Sequence, residues 1–435
     1  MAFKVGLLGL GTVGGGVAQI LLDAKGRSPL LQDVKLHRVG VRSLDKPRSV
    51  DVPEALLTTD LEGIVTDPDV DIVVEVIGGL EPARSLMLQA IAHGKHVVTA
   101  NKAAIARFGP ELFDAAKAKG VYIMLEAAVG GGIPIVQPLK QSLGGDRLNA
   151  LLGIVNGTTN YILSRMAAEG ADFAAVLADA QALGYAEADP TADVDGLDAA
   201  DKIAILASLA FGGRVNREQV VCEGIRQVSA TDIAYAQKLG FVIKLLAIAA
   251  RQPGTDGQDA LSLRVHPTLV PLDHPLARVD GAYNAIFVEG EPIGQVMFFG
   301  PGAGAGPTAS AVVSDILNVA GSMQGRDRDG AAPLHPLLSC SHQDFFPIAP
   351  AEDLHSRFFV RFLTQDMPGV IGRIGTCFGD RGVSLESLVQ TEVKGDEAQV
   401  VVVTHTVRQG DFQAAIAAIE QDACIRKVDS ILRVL

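Results

Sequence analysis

FKVGLLGLGTVGGGVA, residues 3–18, joins a short apolar run to a glycine-rich turn and then to a helix-forming segment. Strand, GxGxxG and helix in that order are what a dinucleotide-binding turn requires. Gly9 permits a sharp turn, Gly11 lets the backbone approach a pyrophosphate, and Gly14 allows the helix to pack close to the strand. The helix start adds N–H donors and a partial positive charge. Gly9, Leu10, Gly11, Thr12, Val13 and Gly14 are therefore candidate cofactor-binding residues. A tight glycine turn without a ligand is the plainer reading of the same letters.

Working outward, strand-like runs at residues 36–41, 71–77, 96–100 and 121–126 alternate with helical runs at 82–93 and 110–119. This alternation predicts an α/β fold with a doubly wound parallel sheet. Ligands of such sheets lie beyond the carboxyl ends of the strands. Arg42, Thr99 and Lys102 stand at those ends. An arginine there suits a ribose 2′-phosphate, whereas an acidic residue would hold a 2′-hydroxyl. Asp45 lies three residues further on, so the reading leans to NADP with NAD also accepted. Arg42 is otherwise a plain surface arginine. Lys102 could hold a substrate carboxylate or a cofactor group, or be a solvated helix-start lysine. Gly302, in PGAGAG ahead of a helix at 307–320, either touches the nicotinamide end or belongs to a hinge.

The densest charge lies in GYAEADPTADVDGLDAADK, residues 184–202. Glu187, Asp189, Asp193, Asp195 and Asp198 precede Asp201 and Lys202, and an apolar helix, IAILASLAFGG, follows directly. Asp198 and Lys202 are four residues apart and share a helix face. A lysine where a helix enters the interior has an adjustable pKa and can act as a proton donor. A solvated helix start with an ion pair is the plainer alternative. Upstream, Asn156 and Thr158 lie in a polar turn, VNGTTN, that suits a small polar ligand or simply caps a helix. His266 and His274 flank prolines in what reads as a loop, and both are taken as structural or exposed.

From residue 356 the order strand-helix-strand-strand-helix-strand predicts a ferredoxin-like unit. Its turn at 366–369 suits a small molecule at a helix start, or the unit serves dimerisation alone.

The chain has 435 residues, 48% of them hydrophobic, enough for two or three domains. No apolar run approaches membrane-spanning length, and no signal peptide is evident, so a cytoplasmic protein is expected. A net charge of −13 disfavours nucleic acid as a partner. Cys222, Cys340, Cys377 and Cys424 are too scattered for a zinc site and point to reduced thiols. The nine histidines show no metal-ligand spacing.

Six blocks in order, GLLGLGTVGGGV, VVTANK, EAAVGGGIP, GIVNGTTNYIL, GYAEADPTADVDGLDAADK and GPGAGAGPTASAVVSD, resemble bacterial homoserine dehydrogenase of the long form. DMPGVIGRI resembles the start of its C-terminal ACT regulatory domain. The resemblance spans essentially the whole chain. It implies a Rossmann-type NAD(P)-binding domain at 1–129, completed by a helix at about 307–321. It further implies an α+β substrate and dimerisation domain at 130–306, a linker at 322–355 and a ferredoxin-like ACT domain at 356–435. The implied reaction is reversible reduction of L-aspartate 4-semialdehyde to L-homoserine, in threonine, methionine and isoleucine biosynthesis. Threonine would inhibit through the ACT domain, and a homodimer or homotetramer is implied. By the same resemblance Lys202 donates the proton, Asp198 assists it, and Lys102 bridges nicotinamide and substrate. Glu187 and Asp193 hold the substrate, and Asn156 and Thr158 line its site. The backbone carbonyls of Glu126, Val129, Gly131 and Ile133 would bind a structural sodium ion. Two rivals remain: a dehydrogenase of another small aldehyde or amino acid, and a catalytically silent amino-acid sensor.

Overall fold

The computed structural model describes residues 2–253, 259–324, 334–339, 344–394 and 396–435. β1 (Phe3–Leu8) leads through α1 (Thr12–Leu22), β2 (Val34–Gly40), β3 (Leu57–Thr58), α2 (Leu61–Thr66) and β4 (Ile72–Glu75). Then come α3 (Ala83–Ala92), β5 (His96–Thr99), α4 (Lys102–Lys119) and β6 (Ile123–Met124). The six strands form a parallel sheet of order β3-β2-β1-β4-β5-β6. This is the Rossmann-type order, and it reverses between β1 and β4, where such a sheet opens a ligand crevice.

Two boundaries differ from the sequence reading. α4 starts at Lys102 rather than at 110. Proline is favourable at a helix start, so Pro110 masked the true beginning; the Asn101 side chain caps the helix by accepting from Ala104 N. β6 is only two residues long, because residues 126–128 already turn as a 3₁₀ helix.

Next follow α5 (Val136–Lys140), β7 (Arg147–Ile154), α6 (Gly157–Glu169), α7 (Phe173–Ala182), α8 (Thr191–Val194) and α9 (Leu197–Phe211). β8 (Val221–Cys222), α10 (Ala230–Lys238), β9 (Phe241–Pro253), β10 (Asp259–Pro271), β11 (Tyr283–Glu291), β12 (Gly294–Pro301) and α11 (Ala305–Met323) continue the chain. It ends with β13 (His355–Gln365), α12 (Val370–Gly379), β14 (Leu385–Lys394), β15 (Glu397–Thr404), β16 (Val407–Arg408), α13 (Gln409–Ile419) and β17 (Ile425–Val434).

The chain divides into two compact units. The first holds residues 1–151, 201–218 and 284–346; the second holds 152–200, 219–283 and 347–435. In the first, α11 lies against α1. A Cβ on Gly16 would come within 2.8 Å of the Ala309 Cβ, so glycine sets this approach. Val312, Ile316 and Val319 of α11 share a core with Val5, Leu7 and Val17. In the second unit the strands run β9-β10-β17-β13-β15-β14. β9 and β10 pair antiparallel without a register break from Asp259 to Pro271.

β10 is where the sequence reading failed, since it broke the pattern at His266-Pro267. The strand continues, and His266 is 2% exposed inside it rather than in a loop. Pro267 is tolerated because it falls between the stretch paired with β8 (Arg264, Val265) and the stretch paired with β17 (Thr268, Leu269). A missing N–H costs little where a strand edge has no partner.

The C-terminal segment has the expected β-α-β-β-α-β order of a ferredoxin-like unit, with the two-residue β16 added before α13 and paired with β13. Phe358, Phe362, Phe378 and Phe412 form its core, with the Phe358 and Phe412 rings stacked. Cys222, Cys377 and Cys424 are free thiols; Cys340 lies outside the described residues. Among the described residues no helix is long and apolar enough to cross a membrane.

Candidate active site

In the first unit, the turn after β1 is shaped by what its glycines leave out. Gly9 has φ of +105°, a conformation side chains resist. A Cβ on Gly14 would lie 2.0 Å from the Gly9 carbonyl oxygen, so no larger residue fits without moving the turn. Gly11 is the N-cap of α1 and makes no side-chain cap, and a Cβ there would meet open space. First-turn N–H groups, which have no partner within the helix, fit a pyrophosphate beside this open glycine. Leu10, Thr12 and Val13 complete the turn, and Arg42 stands exposed just beyond the end of β2.

The ends of β4 and β5 carry a buried polar network that the sequence reading missed. Glu75 is fully buried. Its Oε1 accepts from Ile77 N (3.0 Å) and Gly78 N (3.1 Å), and its Oε2 accepts from the Thr99 hydroxyl (2.6 Å). The Thr99 hydroxyl in turn accepts from Asn101 N (3.0 Å), and Asn101 Nδ2 donates to Gly79 O (2.7 Å). This chain of bonds fixes the loops at the crevice and the start of α4, where Lys102 is the first residue. A glutamate ending the apolar run IVVE was the signal available in the sequence.

α9 carries Asp198, Asp201 and Lys202 in its first two turns, with 6%, 6% and 8% exposure respectively. Asp201, in the first unit, is gripped from two sides. Arg217 Nε donates to its Oδ1 (2.6 Å), and Arg107 Nη1 donates to its Oδ2 (3.2 Å). Arg107 belongs to α4, so Asp201 ties the helix bearing Lys102 to the helix bearing Lys202. Neither arginine was singled out from sequence, because they lie 94 and 16 residues from Asp201, beyond the span of a helix repeat.

In the second unit, Asn156 caps α6 by accepting from Thr159 N (2.9 Å). Its amide nitrogen also donates to Asp193 Oδ1 (2.7 Å) and Asp198 Oδ2 (2.8 Å). The cap reading of this asparagine holds, and its amide is at the same time committed to two carboxylates of the acidic block. The Thr158 hydroxyl is committed to Tyr185 O (2.8 Å). Glu187 is exposed. Asp195 pairs with Arg226, and Asp189 accepts from Thr191 N, so part of the acidic block serves local structure.

The loop after β6, in the first unit, holds the remaining candidates. The Glu126 carboxylate accepts from the N–H groups of Ile135, Val136 and Gln137. Asp315 of α11 accepts from Glu126 N (2.7 Å). Burial pushes both acids up, and the charge on Glu126 helps to raise Asp315 to about 8. Gly130 and Gly131 have φ of 76° and 58°. A Cβ on Gly131 would lie 2.3 Å from Gly302 O, and one on Gly302 would collide with Asn284. Gly302 is therefore required by packing against Asn284 and Gly131, whatever else it touches. Val129 and Ile133 are buried in the same loop.

One cluster arises only in three dimensions: His37, Asp67 and Asp69 bring possible ligand atoms within 4.8 Å of one another. Lys4 pairs with Asp69 at 2.7 Å, which places a positive charge there already.

Comparison with known proteins agrees over the full length. Residues 134–317 match the homoserine dehydrogenase family, residues 9–126 the homoserine dehydrogenase NAD-binding domain, and residues 358–424 the ACT domain. A homoserine dehydrogenase of Synechocystis is 65% identical, with all of both chains covered. A Corynebacterium glutamicum homoserine dehydrogenase is 44% identical over 99% of this chain and 95% of its own. The crystal structure of a Thiobacillus denitrificans homoserine dehydrogenase aligns with a TM-score of 0.89 and 42% identity, covering 100% of this chain and 98% of that one. A hyperthermophilic archaeal homoserine dehydrogenase in complex with NADPH aligns with a TM-score of 0.61 and 27% identity, covering 73% and 98%.

Proposed function

The chain belongs to the homoserine dehydrogenase family, and on that premise we propose a residue-level mechanism for reversible reduction of L-aspartate 4-semialdehyde to L-homoserine. The bound nicotinamide cofactor supplies the hydride, or accepts it in reverse. Residues 9–14 hold its pyrophosphate through backbone N–H groups, and Thr99, Lys102 and Gly302 lie toward its reactive end. Arg42 favours the 2′-phosphate of NADP, with NAD accepted; the NADPH complex of the archaeal relative supports this reading.

Charge develops on the aldehyde oxygen as the carbonyl carbon is reduced. The Lys202 ammonium stabilises that oxygen and transfers a proton to it, giving the alcohol. Asp198, one turn earlier on α9, orients the lysine. Glu187 and Asp193 receive the substrate ammonium and hydroxyl, with Asn156 fixing Asp193 and Asp198 and Thr158 lining the same turn. Lys102 holds the substrate toward the cofactor. The observation that carries the reading is Asn156, whose single amide binds both Asp193 and Asp198 (2.7 and 2.8 Å). Two carboxylates brought together on one donor make a site for a cation, and the amino-acid substrate carries one.

The carbonyls of Glu126, Val129, Gly131 and Ile133 would hold sodium; neutral oxygen donors suit a hard cation. The two left-handed glycines let this loop fold back on itself. We assign cofactor binding to residues 1–129 with the helix at 307–321, substrate binding and dimerisation to 130–306, a linker to 322–355, and regulation by threonine to 356–435. The active form is a cytoplasmic homodimer or homotetramer in threonine, methionine and isoleucine synthesis. Initial rates with L-homoserine and NADP or NAD, with and without L-threonine, test the assignment. The expected result is faster turnover with NADP and a lower rate with threonine. No reduction of either cofactor by homoserine would overturn it.

A further inference from the structure

Charge on β10 is balanced differently from charge elsewhere in the molecule. Ser262, Arg264, His266 and Thr268 are alternate residues of this strand and share one face. β17 pairs beside it with Arg433 opposite Thr268, and β13 follows with Phe358 opposite Arg433. Arg264 reaches across to β13, where its Nη1 donates to the Ser356 hydroxyl (2.9 Å). Arg433 donates to Glu223 (2.7 Å) and to Gln409 at the start of α13 (3.3 Å). Arg264, His266 and Arg433 therefore converge where β10 meets the C-terminal ferredoxin-like segment, all within the second unit.

Four buried polar atoms in this group have no hydrogen-bond partner among the described residues: Ser262 Oγ, Arg264 Nε, His266 Nε2 and Arg433 Nε. Ser262 is fully buried and His266 is 2% exposed. His266 Nδ1 lies 2.8 Å from the Thr268 hydroxyl, which donates to His266 O (3.1 Å), and 3.3 Å from Pro267 O, while burial and the two arginine charges keep the ring neutral. Among the described residues Arg264 has no carboxylate partner, and burial together with the Arg433 charge lowers it to about 10. A largely buried guanidinium beside another, each with an unpartnered Nε–H, is costly unless something negative satisfies it. Among the described residues Glu223 is the one acid bonded to the group, and it is taken by Arg433.

We propose that Ser262, Arg264, His266 and Arg433 form a binding site for a small oxyanion, such as the carboxylate of an amino acid, between β10 and the C-terminal segment. Two arginine Nε–H groups and a hydroxyl, with the neutral His266 ring beside them, are donors that a carboxylate or inorganic oxyanion accepts from. The site links the C-terminal segment to a strand of the central part of the chain, so its occupancy stiffens their junction. It does not depend on the catalytic assignment, because turnover is not its readout.

The test uses the full chain and three probes: sodium acetate, inorganic phosphate and L-threonine, titrated at constant ionic strength by calorimetry and by thermal melting. At least one probe binds and raises the Tm of the wild type. Arg264→Met and His266→Gln each weaken that binding at least tenfold. In anion-poor buffer, Arg264→Met melts no lower than wild type, since it removes an unpaired charge. Competition between acetate and threonine identifies an amino-acid carboxylate as the ligand; binding of phosphate alone identifies an inorganic oxyanion. Absence of any probe-linked change in the wild type overturns the site. An equal change in both variants also overturns it, because the anion would then bind elsewhere.

Discussion

The start of α9 and the middle of β10 treat buried charge in opposite ways. Asp201 on α9 has a guanidinium on each carboxylate oxygen, and Asp193 and Asp198 share one amide. Arg264 on β10 has a hydroxyl, a second arginine nearby and, among the described residues, no acid. The loop after β6 offers a third arrangement, two acids together, in which Asp315 is raised far enough to be protonated near neutrality. Charges neutralised inside the protein hold elements in place. Charges left unbalanced call for a proton or a ligand. On that distinction Asp201 is a positioning residue, and the β10 cluster is a place for something to bind.

The largest effect that would sharpen the contrast is at Lys202. Lys202→Ala is expected to lower kcat about 100-fold or more, the usual scale of acid–base assistance, with cofactor affinity retained. Near-normal turnover would remove Lys202 from the chemistry and leave α9 with only structural charges. Next is Asp201→Ala, which leaves Arg107 and Arg217 facing each other without their acid. Loss of one partner from a buried pair costs about 3–5 kcal/mol, and the partial exposure of Arg107 reduces this to about 2 kcal/mol in urea unfolding. A loss within measurement error would show that the clamp does not hold the helices, and the comparison with β10 would fail.

A smaller effect is expected at Glu187. Its alanine variant should raise KM for homoserine about tenfold, the scale of a hydrogen bond between charged groups, with the cofactor constant unchanged. A change in the cofactor constant alone would place Glu187 outside the substrate pocket. The smallest effect is a slope. Asp315 has a folded pKa near 8, above its ordinary value of 3.8, so the stability it contributes is full below about 4 and lost as pH rises toward 8. Asp315→Asn should flatten the fall in stability across that range. An unchanged slope would mean that Asp315 is ionised in the folded protein.

Much of this molecule was legible locally. The glycines at 9, 11 and 14 act within one turn, so their spacing carries their meaning. The C-terminal segment was read in the right order because each strand and helix has its own apolar period. Asp198 and Lys202 were recognised as sharing a face because a helix repeats within four residues. Where a local signal misled, another residue supplied the correction: Pro110 looked like a helix start although Asn101 caps it, and His266-Pro267 looked like a loop although a gap in the neighbouring pairing tolerates the proline.

By itself the sequence determined the parallel α/β sheet, the nucleotide turn, the acidic block and the ferredoxin-like end, because each follows from short-range periodicity and turn chemistry. Only the tertiary structure decided which charges meet. Glu75 with Thr99, Asp201 with Arg107, Glu126 with Asp315 and Arg264 with Arg433 are separated by 24 to 189 residues along the chain. Electrostatic energy depends on distance and on exclusion of water, and neither is written in the order of residues until the chain has closed on itself.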